Sequence, residues 1–226
     1  NLCDQAKFTG YTLDGGYAQY AIADRRYCFA VPETYTAEEA APLLCAGLIG
    51  FRAWRMIGDA RRIGFYGFGS AAQILVQIAR ADNREVFAFT RDGDTAAQQF
   101  AREMGAAWAG GSGTPPPEPL NAAILFAPDG TLVVTALRNL VKGGTVVCAG
   151  IHMSDIPSFP YELLWNERTI RSVANLTRTD GEQFFRRIAS LRIATKRTIY
   201  PLANANGALA DLRSGKLTGT AVLTMR

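Results

Sequence analysis

A glycine-rich turn is the feature of this sequence best suited to binding a ligand. The turn consists of Gly67, Phe68, Gly69, Ser70, Ala71 and Ala72, and it lies between an apolar strand-like stretch and a helical one. Gly67 permits a tight turn, Gly69 lets the backbone approach a pyrophosphate, and Ala72 is small enough for close helix–strand packing. The free N–H groups at a helix N-terminus favour phosphate oxygens. The pattern predicts a dinucleotide site, although glycine turns of this kind also occur without a ligand.

The residues after the next strand bear on which dinucleotide the turn would suit. A carboxylate about 20 residues beyond the turn would bind the ribose 2′-hydroxyl of NAD. The first polar residues here are Thr90 and Arg91, a hydroxyl and a guanidinium that suit the 2′-phosphate of NADP. Two alternatives remain: Asp92 or Thr90 could serve the hydroxyl if the turn sits differently, and Arg91 could be a solvated turn residue. The sequence favours NADP.

The four cysteines lie far apart, so they imply no disulfide framework. Cys45 lies among apolar residues, where a lone cysteine is usually a small core side chain. Cys3 lies in a polar leader, where a metal ligand or a partner contact is the more plausible role. Cys28 and Cys148 fall inside predicted strands and are expected in the core.

His152 is the only histidine of the chain, so the chain by itself cannot form a catalytic triad or an all-protein metal site. Its loop contains Gly150, Ile151, His152 and Met153 and follows the fifth predicted strand. A cofactor would cross the sheet edge at this loop. Two interpretations stay open for His152: contact with the nicotinamide half, or an ordinary surface position.

Between residues 62 and 190, apolar runs without alternation are separated by helical stretches. Strands are predicted at 63–66, 85–90, 106–109, 121–127, 145–149 and 169–173. Helices are predicted at 71–80, 95–104, 130–141 and 180–190. Strands buried on both faces of a parallel sheet have this pattern, and right-handed crossovers then produce a doubly wound sheet. The predicted fold class is α/β, with a parallel Rossmann sheet.

The two ends of the chain have a different pattern. Residues 15–23 and 27–31 alternate like half-buried strands, and Thr36 with Glu39 forms a predicted capping box that opens a helix. Near the other end, the predicted elements are a strand at 198–201, a helix at 202–213 and a strand at 220–223.

Composition and charge narrow the function classes. The formal net charge is +4, but the lysines and arginines are scattered, which argues against nucleic-acid binding and suits an anionic cofactor. No apolar stretch reaches the roughly 20 residues of a membrane span. The lack of a signal-peptide profile predicts a cytoplasmic protein, and the lack of an initial Met predicts that the chain begins inside a longer one.

Three further segments resemble a known family. They are Asn1-Leu2-Cys3 with Gly10-Tyr11 and residues 14–20, then residues 38–47, and finally residues 215–219. In this order they closely resemble the zinc-dependent medium-chain alcohol dehydrogenases, especially the bacterial type, and the similarity covers nearly the whole chain. The resemblance implies three regions: part of a GroES-like catalytic domain at 1–46, a Rossmann dinucleotide-binding domain at 47–178, and a return segment to the catalytic domain at 179–226.

The resemblance also implies roles for particular residues. Cys45 would be one thiolate ligand of a catalytic zinc, and Cys3 the last of four cysteines around a structural zinc. The catalytic zinc would act as a Lewis acid, so that an alkoxide delivers hydride to nicotinamide or a carbonyl compound accepts it. The implied cofactor contacts outside the glycine turn are Thr90, Arg91, Phe126, Ala127, Pro128, Gly150, Ile151, His152 and Met153.

Several features depart from the family pattern. The other zinc ligands and the proton-relay hydroxyl of the family belong to an N-terminal portion that this chain lacks. The chain alone is therefore expected to be metal-poor and inactive. Ile49 stands where many relatives carry a threonine near the cofactor, and Thr220 replaces an arginine that often reaches the pyrophosphate.

Two other functions compete with a zinc alcohol dehydrogenase acting on an alcohol, aldehyde or ketone. One is a zinc-free quinone reductase of the same superfamily, against which Cys3 and Cys45 argue. The other is a nucleotide-binding or oligomerisation module without chemistry. The resemblance further suggests a dimer or tetramer joined through the exposed sheet edge around Thr169 to Val173.

Overall fold

A six-stranded parallel sheet forms the centre of the computed structural model, which describes residues 1–225. Its strands are β1 (Arg62–Tyr66), β2 (Glu85–Thr90), β3 (Trp108–Gly111), β4 (Leu120–Leu125), β5 (Leu140–Cys148) and β6 (Thr169–Ser172). Their spatial order is β3-β2-β1-β4-β5-β6, and all neighbours pair in parallel. This order is that of the doubly wound Rossmann fold, so the predicted fold class is confirmed.

The interior strands are apolar because helices cover both faces of the sheet. The helices are α1 (Ala37–Ala40), α2 (Ala46–Met56), α3 (Ser70–Ala81), α4 (Thr95–Met104), α5 (Thr131–Asn139), α6 (Arg178–Ser190) and α7 (Ala205–Arg213). Successive residues of a strand point to opposite faces. Phe65 thus packs in the core formed with α2, α3 and α6, whereas Tyr66 packs in the core formed with α5.

The predicted elements of this region agree with the structure except at a few ends. The helix predicted at 130–141 ends at Asn139, because β5 already begins at Leu140. The strand predicted at 121–127 ends at Leu125, and the strand predicted at 106–109 runs from Trp108 to Gly111. The predicted capping box is present: the Thr36 hydroxyl accepts from the Glu39 N–H at 3.3 Å, and the Glu39 carboxylate accepts from the Thr36 N–H at 2.9 Å.

The strands predicted at 15–23 and 27–31 are wrong. Within residues 1–225, this region contains a short 3-10 turn at Arg25–Tyr27 and no strand. A strand needs a neighbour to pair with its N–H and C=O groups, and no described strand runs beside this segment. The apolar side chains of Tyr20 and Ile22 are accordingly 90% and 97% exposed. Cys28 is also exposed, contrary to the core position expected for it.

Near the end of the chain, β7 (Arg197–Pro201) and β8 (Thr220–Thr224) pair in parallel as a separate two-stranded sheet. Helix α7 connects them, so both predicted strands and the predicted helix are confirmed. Cys148, expected in the core, is buried at the end of β5. No helix within residues 1–225 combines the length and the apolar character that crossing a membrane requires.

Tyr35 ties the start of the chain to the segment that leaves α6. Its buried hydroxyl accepts from the Ile193 N–H and donates to the Leu191 carbonyl, both at 2.8 Å. Because Tyr35→Phe leaves a buried N–H group without its partner, we expect it to lower the unfolding free energy by about 1–2 kcal/mol in urea denaturation. The exposed Tyr27→Phe is the matched control. Equal effects of both substitutions would contradict this role of the Tyr35 hydroxyl.

Candidate dinucleotide-binding site

The glycine turn joins β1 to α3 at the carboxyl edge of the sheet. Gly67 has a φ of +91°, a conformation that side chains rarely adopt. Its N–H donates to the Phe89 carbonyl at 2.8 Å, and a Cβ at this position would lie 2.9 Å from the Ala127 nitrogen. The turn is therefore held between the ends of β2 and β4 and requires glycine at its first position.

The N-terminus of α3 is open toward the carboxyl edge. Gly69 is the N-cap residue, and no side chain accepts a hydrogen bond from the first turn of the helix. A Cβ at Gly69 would meet nothing within 4 Å, whereas Ala72 is fully buried. Uncapped N–H groups, the helix dipole and an unobstructed approach are what a phosphate needs, so these residues fit a dinucleotide pyrophosphate.

The side chains of Phe68 and Ser70, two residues of the glycine turn, point into the protein. Phe68 packs edge-on against Phe100 of α4, with 5.8 Å between the ring centroids. The Ser70 hydroxyl lies 2.6 Å from the Thr220 hydroxyl of β8 and donates to the Gly219 carbonyl at 3.1 Å. Ser70 therefore offers a phosphate its backbone N–H group, while its side chain links α3 to β8.

At the end of β2, the structure separates the roles of the three polar candidates. The nearly buried Thr90 hydroxyl is held by backbone carbonyls, at 3.1 Å from the oxygen of Arg91 and 3.4 Å from that of Gly110. The Asp92 carboxylate accepts from the Gly113 N–H at 3.1 Å. Arg91 is exposed, and no carboxylate of residues 1–225 forms an ion pair with it. The guanidinium is thus free to meet a ligand, whereas one oxygen of the exposed Asp92 carboxylate is already hydrogen-bonded.

The loops after β4 and β5 lie against each other beside Gly67. The N–H groups of Phe126 and Ala127 both donate to the Tyr66 carbonyl, at 2.8 and 3.0 Å. Pro128 accepts a hydrogen bond from the backbone N–H of Ser154 at 3.2 Å. A Cβ at Gly150 would lie 3.2 Å from the Ala127 carbonyl oxygen. The predicted contact residues of β1, β4 and β5 are therefore brought together at one edge.

The loop at 150–153 is partly built into the fold and partly exposed. Met153 packs against the core on the α5 side, whereas Ile151 and His152 are exposed. His152 has a φ of +55°, which is uncommon for a residue with a side chain. The imidazole contacts no other candidate side chain in a hydrogen bond within the described part of the chain.

Two open cavities flank the glycine turn. One, of about 590 Å³, is lined by residues that include Asp92, Gln98 and Trp108. The other, of about 520 Å³, is lined by residues that include Met153 and Arg171. Neither cavity is lined by residues of the turn itself.

The two predicted zinc ligands do not form a metal site with the residues described. Cys45, at the N-cap of α2, and Cys3 are both exposed. Residues 1–225 contain no cluster of three or more His, Cys, Asp or Glu side chains able to hold a metal ion. Protein zinc sites use three or four such ligands in a tetrahedral arrangement. The residues described therefore do not fit a zinc ion by themselves.

Sequence reasoning missed the contacts that α3 makes with the end of the chain. Gln73 and Gln77, one turn apart, accept hydrogen bonds from the N–H groups of Lys196 and Ala194 at 2.8 and 2.9 Å. Two side-chain amides on the buried side of an otherwise apolar helix need hydrogen-bond partners. This signal could have indicated that they bind the backbone of a segment distant in sequence. Which residues become the partners of these amides depends on long-range packing, and the spacing of residues along the chain does not reveal it.

Comparison with known proteins adds to this geometry. The chain is 43% identical to "Probable alcohol dehydrogenase AdhA" of Mycobacterium tuberculosis (strain CDC 1551 / Oshkosh), over 99% of this chain and 65% of that protein. It is 31% identical to an alcohol dehydrogenase of Moraxella sp. (strain TAE123), over 98% of this chain and 68% of that protein. The structure of acetophenone reductase from Geotrichum candidum NBRC 4597 in complex with NAD is 25% identical, with a TM-score of 0.86 over 99% of this chain and 67% of that one. No protein-family model matches the chain.

This chain thus spans only about two thirds of the length of these relatives, 65% of the first and 68% of the second. Within that span the similarity is continuous, because the alignments cover almost every residue of the chain. The Rossmann strand order and the glycine turn provide independent structural support. The chain belongs to the family of medium-chain alcohol dehydrogenases.

Proposed function

We propose that this protein binds a nicotinamide dinucleotide at its glycine turn and serves hydride transfer between an alcohol and the corresponding aldehyde or ketone. The observation that supports it most is the open, uncapped N-terminus of α3, with Gly69 leaving the approach to it free. The relatives named as alcohol dehydrogenases support the reaction class. They favour it over a quinone reductase or a binding module without chemistry.

In this proposal the chain positions the cofactor along the carboxyl edge of the sheet. The backbone N–H groups after Gly69 bind the pyrophosphate, with the helix dipole adding to the attraction. The end of β2 holds the adenosine ribose, and the loops at 126–128 and 150–153 orient the nicotinamide half. When bound, the nicotinamide ring supplies the hydride acceptor or donor. Substrate choice is open among small alcohols, aldehydes and ketones.

We further propose that the preferred dinucleotide is NADP. The structure supports this preference because Arg91 is exposed and free of carboxylates, whereas the Asp92 carboxylate is engaged by the Gly113 N–H. A guanidinium binds a phosphate dianion through charge-assisted hydrogen bonds, and the 2′-hydroxyl of NAD offers it no such partner.

We expect Arg91→Gln to weaken NADPH binding by about tenfold, since a hydrogen bond to a charged group contributes about 1.5 kcal/mol or more. NADH binding should remain unchanged. Titration followed by nicotinamide fluorescence measures both affinities, and Arg138→Gln, an exposed arginine at the end of α5, is the control. Stronger binding of NADH, lost in Asp92→Asn, would overturn the NADP preference but keep the site.

Three further proposals rest mainly on the resemblance to zinc alcohol dehydrogenases. They are zinc dependence, the division into three regions and the oligomeric state. Cys45 and Cys3 are exposed, so other ligands can reach both thiols, and metal analysis of the whole protein tests both roles. The boundaries proposed for the nucleotide-binding domain, 47 and 178, enclose all strands of the large sheet. Strand β6 is one of the two edge strands and is mostly exposed, so it supports edge-to-edge association, which light scattering tests.

A further inference from the structure

The segment 194–196, just before β7, is hydrogen-bonded to the helix that begins at the glycine turn. Gln77 of α3 brackets Ala194: its amide oxygen accepts from the Ala194 N–H at 2.9 Å, and its amide nitrogen donates to the Ala194 carbonyl at 2.7 Å. Gln73 accepts from the Lys196 N–H at 2.8 Å. The backbone of Lys196 is thus held at a defined place over the first turns of α3.

Lys196 also lies next to the N-terminus of α3. The Lys196 carbonyl accepts from the Thr220 N–H at 3.0 Å, and the Thr220 hydroxyl is 2.6 Å from the Ser70 hydroxyl. Ser70 is the first residue of α3. Thr220, the residue of β8 that contacts Ser70, carries no charge. Thr220 therefore brings no positive charge to this end of the helix.

The ammonium of Lys196 contacts an aromatic ring that packs on the glycine turn. Its ammonium lies 5.1 Å from the centroid of the Phe100 ring, and that ring packs against Phe68 of the turn. No carboxylate of residues 1–225 forms an ion pair with Lys196, whereas the adjacent Arg197 pairs with Glu39. A lone cation–π contact at an exposed site contributes only about 0.5–1 kcal/mol. It leaves the ammonium free to exchange the ring for a stronger partner.

We propose that Lys196 binds a phosphate of the dinucleotide and so contributes to cofactor affinity from outside the large sheet. The proposal rests on the proposed cofactor site, because it needs a phosphate at the glycine turn. Two phosphate groups can supply the charge: the pyrophosphate, which NAD and NADP share, and the 2′-phosphate, which only NADP carries. An ammonium on a flexible stem suits either as a point charge.

The test compares NADH and NADPH titrations of the wild-type chain with those of Lys196→Met and Lys196→Arg. Methionine keeps the apolar stem on Phe100 but removes the charge. We expect Lys196→Met to weaken binding by about tenfold and Lys196→Arg to restore most of it. The matched control is Lys142→Met, an exposed lysine beside the positive-φ Gly143 in β5. Far-UV circular dichroism and urea denaturation check that the variants fold alike.

The pattern of losses identifies the phosphate. Equal weakening of NADH and NADPH assigns Lys196 to the pyrophosphate, and weakening of NADPH alone assigns it to the 2′-phosphate. Wild-type affinity for both dinucleotides in Lys196→Met, with the control also unchanged, would overturn the role of Lys196 and leave the proposed function standing. If the wild-type chain binds neither dinucleotide, both the cofactor site and the role of Lys196 are refuted together.

Discussion

Replacing Gly69 by alanine is expected to leave the fold intact and to weaken dinucleotide binding by at least about thirtyfold. The φ of Gly69 is −111°, outside the left-handed region, and the added Cβ meets nothing within 4 Å. The methyl group would instead occupy the space through which a pyrophosphate approaches the first turn of α3. A steric misfit of about 2 kcal/mol in the complex corresponds to this loss of affinity.

Gly67→Ala is the variant for comparison, because it should mainly lower the stability of the fold, whereas Gly69→Ala should mainly lower the affinity for the dinucleotide. Its φ of +91° strains any side chain, and its Cβ would lie 2.9 Å from the Ala127 nitrogen. We expect the unfolding free energy to fall by about 2–3 kcal/mol, whereas Gly69→Ala leaves it unchanged. Urea denaturation and fluorescence titration of both variants separate the two effects. Wild-type affinity in a folded Gly69→Ala variant would place the dinucleotide elsewhere or exclude it.

The Rossmann part of the chain was predictable because its signals are local. A strand buried on both faces must be apolar along its whole length, and the runs at 63–66 and 85–90 meet this requirement without reference to any partner. The glycine turn is equally local, since it follows from two glycines between a strand and a helix. Its placement at the carboxyl edge then follows from the topology alone.

Contacts between distant parts of the chain were not predictable in this way. Residues 15–23 have the alternation of a strand, but pairing decides whether a strand forms, and no described strand is its neighbour. The link from Ser70 to Thr220 joins residues 150 positions apart, and the hold of Gln73 on Lys196 spans 123. The sequence predicts Asp180 in a helix. Its ion pairs, however, are formed with arginines of α2, more than 120 positions earlier in the chain.

Asp180→Asn is expected to lower the unfolding free energy by about 2–3 kcal/mol at neutral pH. The fully buried carboxylate accepts from the Thr177 N–H and hydroxyl at 2.7 and 2.6 Å, and it forms ion pairs with Arg52 and Arg55. An asparagine amide has only one accepting oxygen, so it cannot satisfy Thr177 and the arginines together. It also leaves two guanidinium groups without a counter-charge where α2 packs on α6. Their partial exposure keeps the expected loss below that of a fully buried pair.

The same substitution should change how stability depends on pH. Burial raises the pKa of Asp180, but the hydrogen bonds from Thr177 and the guanidinium of Arg55 outweigh burial, so its pKa lies below the usual value. A lowered folded-state pKa means that the stabilisation is present above the unfolded pKa of about 3.9 and is lost as pH falls through the folded value. Wild type and Asp180→Asn should therefore differ most at neutral pH and converge in acid. Urea denaturation across this range measures the difference.

Glu182→Gln provides the comparison on the same helix. Glu182 forms an exposed i,i+4 ion pair with Arg178, at 2.8 Å, and such pairs contribute about 0.3–0.5 kcal/mol. Its removal should leave both the neutral stability and the acid limb close to wild type. If Asp180→Asn behaves like Glu182→Gln, the buried ion pairs between α2 and α6 contribute no more than a surface pair. The position of α2, and of Cys45 at its start, would then depend on apolar packing such as that of Phe184 against Gly47.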